Sequence, residues 1–423
     1  MSSDPRQNGL PAYIAVTAAY WAFMLTDGAL RMLVLLHFHT LGFSAIQLAY
    51  LFLLYEFMGM VTNLSAGWIA ARFGLTFTLY AGLGIQIVAL VALSQLDPTW
   101  TIAASVAFVM AVQGASGVAK DLAKMSSKSA VKLLAPEGDG ALFRWVAALT
   151  GSKNAVKGLG FLLGAALLGL IGFTASVLAM AGALALILGA IALFMPSGLP
   201  RGKKGAKFRE VFSMDPRVNW LSAARMFLFG ARDVWFVVGI PIYFYSVLSD
   251  GSVEGNRAAF FQIGTFMAVW IILYGAVQGF APKLLRARDK SDAEITGLAK
   301  AWVGALALIP AALATAALIA GDPAPWLTGM LVVGLLVFGA VFAINSALHS
   351  YLILAFTKSE RVTMDVGFYY MSNAAGRLVG TLLSGVSFQV GGLPLCLATA
   401  ATMAALSWVM AGRLQQHEAA ETV

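Results

Sequence analysis

Apolar stretches of helical length recur from one end of this chain to the other, separated by short polar or basic connections. Each is near the roughly 20 residues that an α-helix needs to cross the hydrocarbon core of a bilayer. Inside lipid the backbone must satisfy its own hydrogen bonds, and runs this long do so as helices. Only 11% of the 423 residues are charged, less than half of the roughly 25% usual in soluble domains. The chain therefore reads as an all-α, multi-pass membrane protein. Its one cysteine, Cys396, excludes an intrachain disulfide. The polar start "MSSDPRQNGLP" does not read as a cleaved signal peptide.

The apolar runs place twelve helices, near 12–38, 45–71, 75–95, 100–120, 142–171, 174–195, 218–248, 259–281, 298–320, 327–356, 364–390 and 394–412. Charge in the connections tests that number. With the N-terminus in the cytoplasm, the inside connections collect Arg72, Lys120, Lys124, Lys128 and Lys132, then Arg201, Lys203, Lys204, Lys207, Arg209 and Arg217. Lys283, Arg286, Arg288, Lys290, Lys358, Arg361 and Arg413 complete that side, while the outside connections hold only Arg257. This is the asymmetry of the positive-inside rule, and it puts both termini in the cytoplasm. The formal net charge of +8 is then mostly topological, which argues against a nucleic-acid partner.

The Gly-, Pro- and Lys-rich stretch 196–217 divides the chain into residues 1–195 and 218–423, six helices each. The two parts echo one another. "SKNAVKGLGFLLG" in the fifth helix is matched by "SNAAGRLVGTLLSG" in the eleventh, and "FMLTDGALRMLVLL" in the first by "FLFGARDVWFVVGIP" in the seventh. Two pseudo-symmetric six-helix bundles with a polar site between them are the plan of major facilitator transporters. The loop "GWIAARFGL" (67–75) resembles their signature G-x-x-x-D-R-F-G-R at Gly67, Arg72 and Gly74. Ala71 stands where that signature has its acid, and no basic residue closes it.

Charges at membrane depth are costly and usually face a bundle interior or a wet cavity. Here the cations are Arg31, Lys153, Lys157, Arg225, Arg232 and Arg377, and the anions Asp27, Glu56, Asp233 and Asp365. The excess is positive, so an anionic small molecule is the expected guest. Arginine forks suit phosphate-like oxyanions and lysine supplies a mobile point charge. Asp27 and Arg31, four apart, read as an intrahelical pair in which Asp27 orients Arg31. Arg377 could pair with Asp365, while Arg232 and Asp233, being adjacent, diverge by about 100°. Asp27, Glu56 and Asp365 are candidate proton carriers for energy coupling. In this fold the first, fifth, seventh and eleventh helices line the cavity, an expectation by analogy.

Gln113 with Ser116 and Lys120 on one helical face, Asn154, and Asn345 with His349 on another are candidate cavity hydrogen bonders, with helix-to-helix contact as the plainer reading. Gly158, Gly160 and Gly164 read first as close-packing positions. Lysine at every fourth position from 120 to 132 suggests an amphipathic helix on anionic headgroups, or a vestibule drawing in an anion. His37 and His39, two apart, do not share a helical face, so no metal site is expected. Neither a nucleophile–base pair nor a cofactor motif is present, so the chain reads as no enzyme, with no catalytic residue and no cofactor.

Four strings resemble one family closely. "TDGALRMLVLLHFHTLGFS", "GVAKDLAKMSSKSAVKLLAPEG", "LFRWVAALTGSKNAVKGLG" and "NWLSAARMFLFGARDVWFVVGIP" are similar to the ArsJ-type organoarsenical efflux permeases. The resemblance covers the first half and the seventh helix, and fades after residue 245. It implies export of 1-arseno-3-phosphoglycerate across the bacterial inner membrane, conferring arsenate resistance. It also implies a functional partner, glyceraldehyde-3-phosphate dehydrogenase, which makes that ester. The expected protein is a monomer. The residues alone stop at transport or exchange of an organic phosphate or other organic anion.

Overall fold

Almost every residue described by the computed structural model, 9–134, 141–194, 213–286, 290–357 and 362–421, is helical. The elements are α1 (Gly9–Thr40), α2 (Ala45–Leu93), α3 (Ile102–Leu134), α4 (Ala141–Phe194) and α5 (Pro216–Val234). A five-residue π-helix (Trp235–Gly239) joins α5 to α6 (Ile240–Leu248). There follow α7 (Val253–Leu284), α8 (Asp292–Ala320), α9 (Pro325–Phe356) and α10 (Val362–Glu421). Most of the expected linker, including Arg201 to Arg209, lies outside the described residues, as do Arg288, Lys358 and Arg361 and the side chains of Ala71, Lys128, Lys132 and Arg144.

Among the described residues ten helical segments are long and apolar enough to cross a membrane. Where two helices were expected at 142–171 and 174–195, both fall within α4; those at 364–390 and 394–412 fall within α10. Their apolar spans run to 43 and 53 residues, roughly 65 and 80 Å of helix against a hydrocarbon core of about 30 Å. Each leaves helical geometry at glycine. Gly172 has φ 76° and ψ 179°, and Gly392 has φ 59° and ψ −155°. Inside α2, Gly74 has φ 77° and ψ 176°. These backbone angles belong almost only to glycine. The "RFG" of the signature-like loop is therefore a glycine-built turn.

Starts of helices follow local chemistry. Ser44 and Gln47 form a capping box at α2, and Ser291 with Glu294 forms another at α8. Asp215 caps α5 ahead of Pro216. The π-helix frees amides that need acceptors. The Ser384 hydroxyl of α10 accepts from Val238 N at 3.1 Å and Gly239 N at 3.2 Å. The span 216–248 is 83% buried over its most apolar window, against 28% for 152–194. α5 is thus interior, while much of α4 presents apolar side chains outward.

Helices α1 and α4 cross at glycine, and so do α5 and α10. A Cβ on Gly160 would overlap Leu25 O and stand 3.1 Å from Gly28 Cα. One on Gly380 would stand 2.7 Å from Gly230 O and 3.0 Å from Gly230 Cα. The close-packing reading of Gly158, Gly160 and Gly164 agrees with these contacts: Cβ atoms there would meet the carbonyls of Ala268, Leu25 and Ala29. Small residues at such crossings let backbones approach where lipid supplies no hydrophobic drive. Across the linker, α2 packs on α10 and α4 on α7.

Cys396 is fully buried, its thiol 3.1 Å from Val234 O. A maleimide is expected to label it only after unfolding in sodium dodecyl sulfate. Equal labelling of folded and unfolded protein would contradict the packing of α10 on α5.

Candidate functional site

Helix α1 buries Asp27 and Arg31, and α2 brings Tyr55 and Glu56 against them. Glu56 has no exposed surface and stands between two guanidinium groups. Arg31 Nη2 donates to its Oε1 at 2.5 Å, and Arg377 Nη2 of α10 lies 2.6 Å from its Oε2. The rings of Phe52 and Tyr55 flank Arg31, 5.3 and 5.4 Å from its guanidinium carbon. Asp27 turns elsewhere. Its Oδ1 accepts from the Tyr55 hydroxyl at 2.5 Å, and Lys157 Nζ of α4 lies 3.9 Å from its Oδ2.

Two expected pairings are thus corrected. Asp27 does not hold Arg31; it holds Lys157 and Tyr55, and Glu56 holds Arg31. Arg377 pairs with Glu56 rather than with Asp365. Spacing along one helix ranks only partners on that helix, whereas the bundle offers Glu56 to two arginines from other helices. A carboxylate buried this completely is tolerated when its charge is paired.

Helix α3 does not end near 120 as expected but continues to Leu134, and Lys120 and Lys124 lie against neighbouring helices. Lys120 is 6% exposed, its Nζ 4.0 Å from the centre of the Tyr55 ring. Asp121 is buried and accepts from Thr62 Oγ1 at 2.6 Å, Asn63 Nδ2 at 3.3 Å and Lys124 Nζ at 3.2 Å. Lys124 also donates to Asn63 Oδ1 at 2.7 Å, and lies 5.5 Å from the Tyr370 ring of α10. The helix runs on because these charges have partners inside the bundle. Tyr55 and Asp121 are site residues that sequence reasoning missed. Lys120 shares one stripe of its helix with Gln113 and Ser116, read from the sequence as a cavity-facing candidate, and Lys124 extends that stripe by a turn.

The cations of α5 are held by their own surroundings. Arg225 Nη1 donates to Ser346 O at 3.1 Å and Ser346 Oγ at 3.0 Å. Its guanidinium lies 4.1 Å from the centre of the Phe229 ring, so it ties α5 to α9. Arg232 and Asp233 do pair, against expectation, with Nε to Oδ1 at 2.5 Å. Arginine is long enough to fold along the helix toward a fully buried neighbour, and the rings of Phe229, Phe236 and Phe342 surround its other faces. Asn345 donates to Ala299 O at 2.6 Å, fastening α9 to α8. His349 and Gln113 are buried, and Asn154 fills the space over Gly275. Lys153 stands one turn before Lys157 on α4, half-buried. His37 stacks on Phe173 and His39 meets the edge of Tyr245. Among the described residues no cluster of metal-ligating side chains occurs.

The structure thus gathers Asp27, Arg31, Glu56, Lys157 and Arg377 into one network with Lys120, Asp121 and Lys124. It leaves Arg225, Asn345 and His349 in neighbouring helix contacts. Cations outnumber carboxylates in the network: Arg31, Lys157 and Arg377 face Asp27 and Glu56, and α3 adds two lysines and one aspartate.

The sequence matches no protein-family model and no curated protein. Solved structures do match. A mutant of the nucleoside transporter NupG has a TM-score of 0.68 at 17% identity, over 95% of this chain and 98% of the other. A POT family transporter in complex with 5-aminolevulinic acid has 0.70 at 14% identity, over 96% of each chain. A structure on substrate recognition in proton-dependent oligopeptide transporters has 0.70 at 14%, over 96% and 98%. The chain has the fold of these solved structures, and the ten membrane-length helical segments among its described residues make it a multi-pass membrane protein.

Proposed function

We propose that this protein exports a phosphorylated organoarsenical anion, 1-arseno-3-phosphoglycerate, by alternating access. The observation that carries the reading is the buried, net-cationic network in which Arg31, Lys157 and Arg377 converge from three helices around Glu56 and Asp27. A cationic excess in a low-dielectric interior attracts an ester with two anionic groups, which supplies the missing negative charge. The resemblance of four long strings to organoarsenical permeases supplies the arsenic. The network supplies only the preference for an oxyanion.

In this reading the chain makes twelve crossings, because α4 and α10 are each about twice the length of one crossing and each turns at glycine. Residues 1–195 and 218–423 are two six-helix bundles, joined by the linker 196–217. The basic connections face the cytoplasm of a bacterial cell, with the inner membrane as the site. Lys153, Arg225 and Arg232 complete the anion-binding set. Asp27, Glu56, Asp233 and Asp365 serve coupling or orientation. The partner is the dehydrogenase that forms the ester, and the exporter works as a monomer. The second reading, exchange of an ordinary organic phosphate or other organic anion, is favoured by the same network, because nothing in it singles out arsenic.

Vesicles reconstituted with the protein separate the two. Loaded with dehydrogenase, its substrates and arsenate, they are expected to release the arsenic ester faster than vesicles without the protein. Cells expressing protein and dehydrogenase together should gain arsenate resistance. Equal movement of phosphoglycerate and no gain in resistance would leave the exchanger reading in place.

A further inference from the structure

Between the second half of α2 and the first half of α3 lies a groove of about 620 Å³ that the charge network does not use. Residues within 81–92 of α2 and 108–115 of α3 form its walls, and every one that lines it is apolar. Ala81, Gly84, Val88 and Ala92 stand on one side, with Phe108 and Ala111 opposite. A Cβ on Gly84 would meet nothing within 4 Å, so that wall faces open space. Elsewhere leucines such as Leu186 and Leu193 project outward. Here glycine and alanine leave the surface hollow.

Position and length decide what fills the hollow. Both walls belong to membrane spans, Thr76–Leu93 and Ile102–Ser127, so the groove is continuous with the lipid-facing surface. The α2 wall, 81–92, is roughly 16 Å long, about half of a hydrocarbon core of about 30 Å. That is the depth of one leaflet and the reach of one acyl chain. A membrane-crossing helix of a second copy would need a groove running the full thickness. At its Ala92 end the groove stops one residue short of the end of the span, at headgroup level.

Lipid tails are as apolar as this groove, so burial alone does not choose one lipid from another. The mouth does. The connection 94–101 carries one charge, Asp97, and no cation. Thr99 donates to Asp97 Oδ1 from its amide at 2.8 Å and from its hydroxyl at 2.7 Å. Those bonds hold the carboxyl below its usual range and keep it ionised. Both go to Oδ1, and among the described residues no donor takes Oδ2. Exposed Trp100 meets the groove residue Phe108 edge to face, with ring centres 5.2 Å apart. Its indole thus joins the acidic mouth to the hollow, and indoles at this level favour a cationic headgroup.

We infer that the groove holds one acyl chain of a phospholipid with a primary-ammonium headgroup, phosphatidylethanolamine, whose ammonium pairs with Asp97 beside Trp100. A phosphatidylglycerol of the same chains would bring its net negative charge against that carboxylate. The assignment does not depend on what the protein transports.

Native mass spectrometry of the full-length protein in detergent, titrated with phosphatidylethanolamine or phosphatidylglycerol of matched chains, tests it. One phosphatidylethanolamine is expected to be retained at about fivefold lower lipid concentration than phosphatidylglycerol, the order of one surface ion pair. Asp97→Asn should erase that preference. Gly84→Leu fills the hollow and should remove the retained lipid of either kind, with the thermal midpoint unchanged because the new side chain enters open space. Ala111→Leu repeats that test from the opposite wall. Equal retention of the two lipids by native protein, or an unchanged preference in Asp97→Asn, overturns the headgroup assignment. Native-like retention by both leucine variants overturns the groove. A dimer that the leucine variants dissociate would give the groove to a second copy and overturn the lipid.

Discussion

Replacing Glu56 by alanine is expected to abolish transport and lower the thermal midpoint of the purified protein more than any other single charge removal. The carboxylate has no exposed surface and lies within 2.6 Å of two guanidinium groups, from α1 and α10. Without it Arg31 and Arg377 confront one another in a medium where breaking a buried pair costs about 3–5 kcal/mol. The loss also has a mechanical side. Glu56 and Arg377 belong to different ends of the chain, so their ion pair fastens α2 to α10 across the linker. In the alternating access proposed for this protein, residues 1–195 and 218–423 move against one another, and an ion pair between them would bias which arrangement prevails. Glu56→Gln keeps the shape and one acceptor, so it should retain more of the midpoint while still losing transport. Glu56→Ala combined with Arg377→Met removes both charges of the inter-bundle pair and should regain part of the midpoint with transport still absent. Differential scanning fluorimetry in detergent, beside vesicle transport, reads both quantities. An unchanged midpoint in Glu56→Ala would mean that the ion pair contributes nothing.

The helical frame was legible in the sequence because its cause is one-dimensional. A run of about 20 apolar residues can do little else in lipid, and expected boundaries such as 45 for α2 and 356 for α9 coincide with the observed ones. Pairing was not legible. Asp27 and Arg31 satisfy the i, i+4 rule, yet that rule ranks only neighbours on one helix. Tyr55, Glu56 and Lys157 reach them from helices whose packing no local spacing records. The continuation of α3 past 120 was missed for a related reason. A lysine after an apolar run reads as the water boundary, unless the aspartate, threonine and asparagine that accompany it are known to be inside. The charge excess survived these errors because it depends on which residues are buried rather than on which of them pair.

Leucine at Gly160 or at Gly380 is expected to eliminate the monodisperse protein, whereas Gly182→Leu should leave it unchanged. At Gly160 even a Cβ would overlap Leu25 O, and at Gly380 it would stand 2.7 Å from Gly230 O. Around Gly182 a Cβ would meet nothing within 4 Å. Overpacking costs about 1–3 kcal/mol where side chains can yield; here the obstacle is backbone, so the helices themselves must separate. The crossings also place the charges. Lys157 stands three residues before Gly160 and Arg377 three residues before Gly380, so each cation shares a helical face with its crossing. Gly28 of α1 presses so near to α4 that its Cβ would be 2.6 Å from Lys157 O, which brings Asp27 Oδ2 within 3.9 Å of Lys157 Nζ. A smaller change, Gly160→Ala, therefore moves α1 off α4 and lengthens that contact before it unfolds the bundle. Its transport rate should fall by about tenfold or more while its thermal midpoint drops only a few degrees. A variant that loses midpoint and rate in the proportion shown by distant packing substitutions would reduce the crossing to a structural contact.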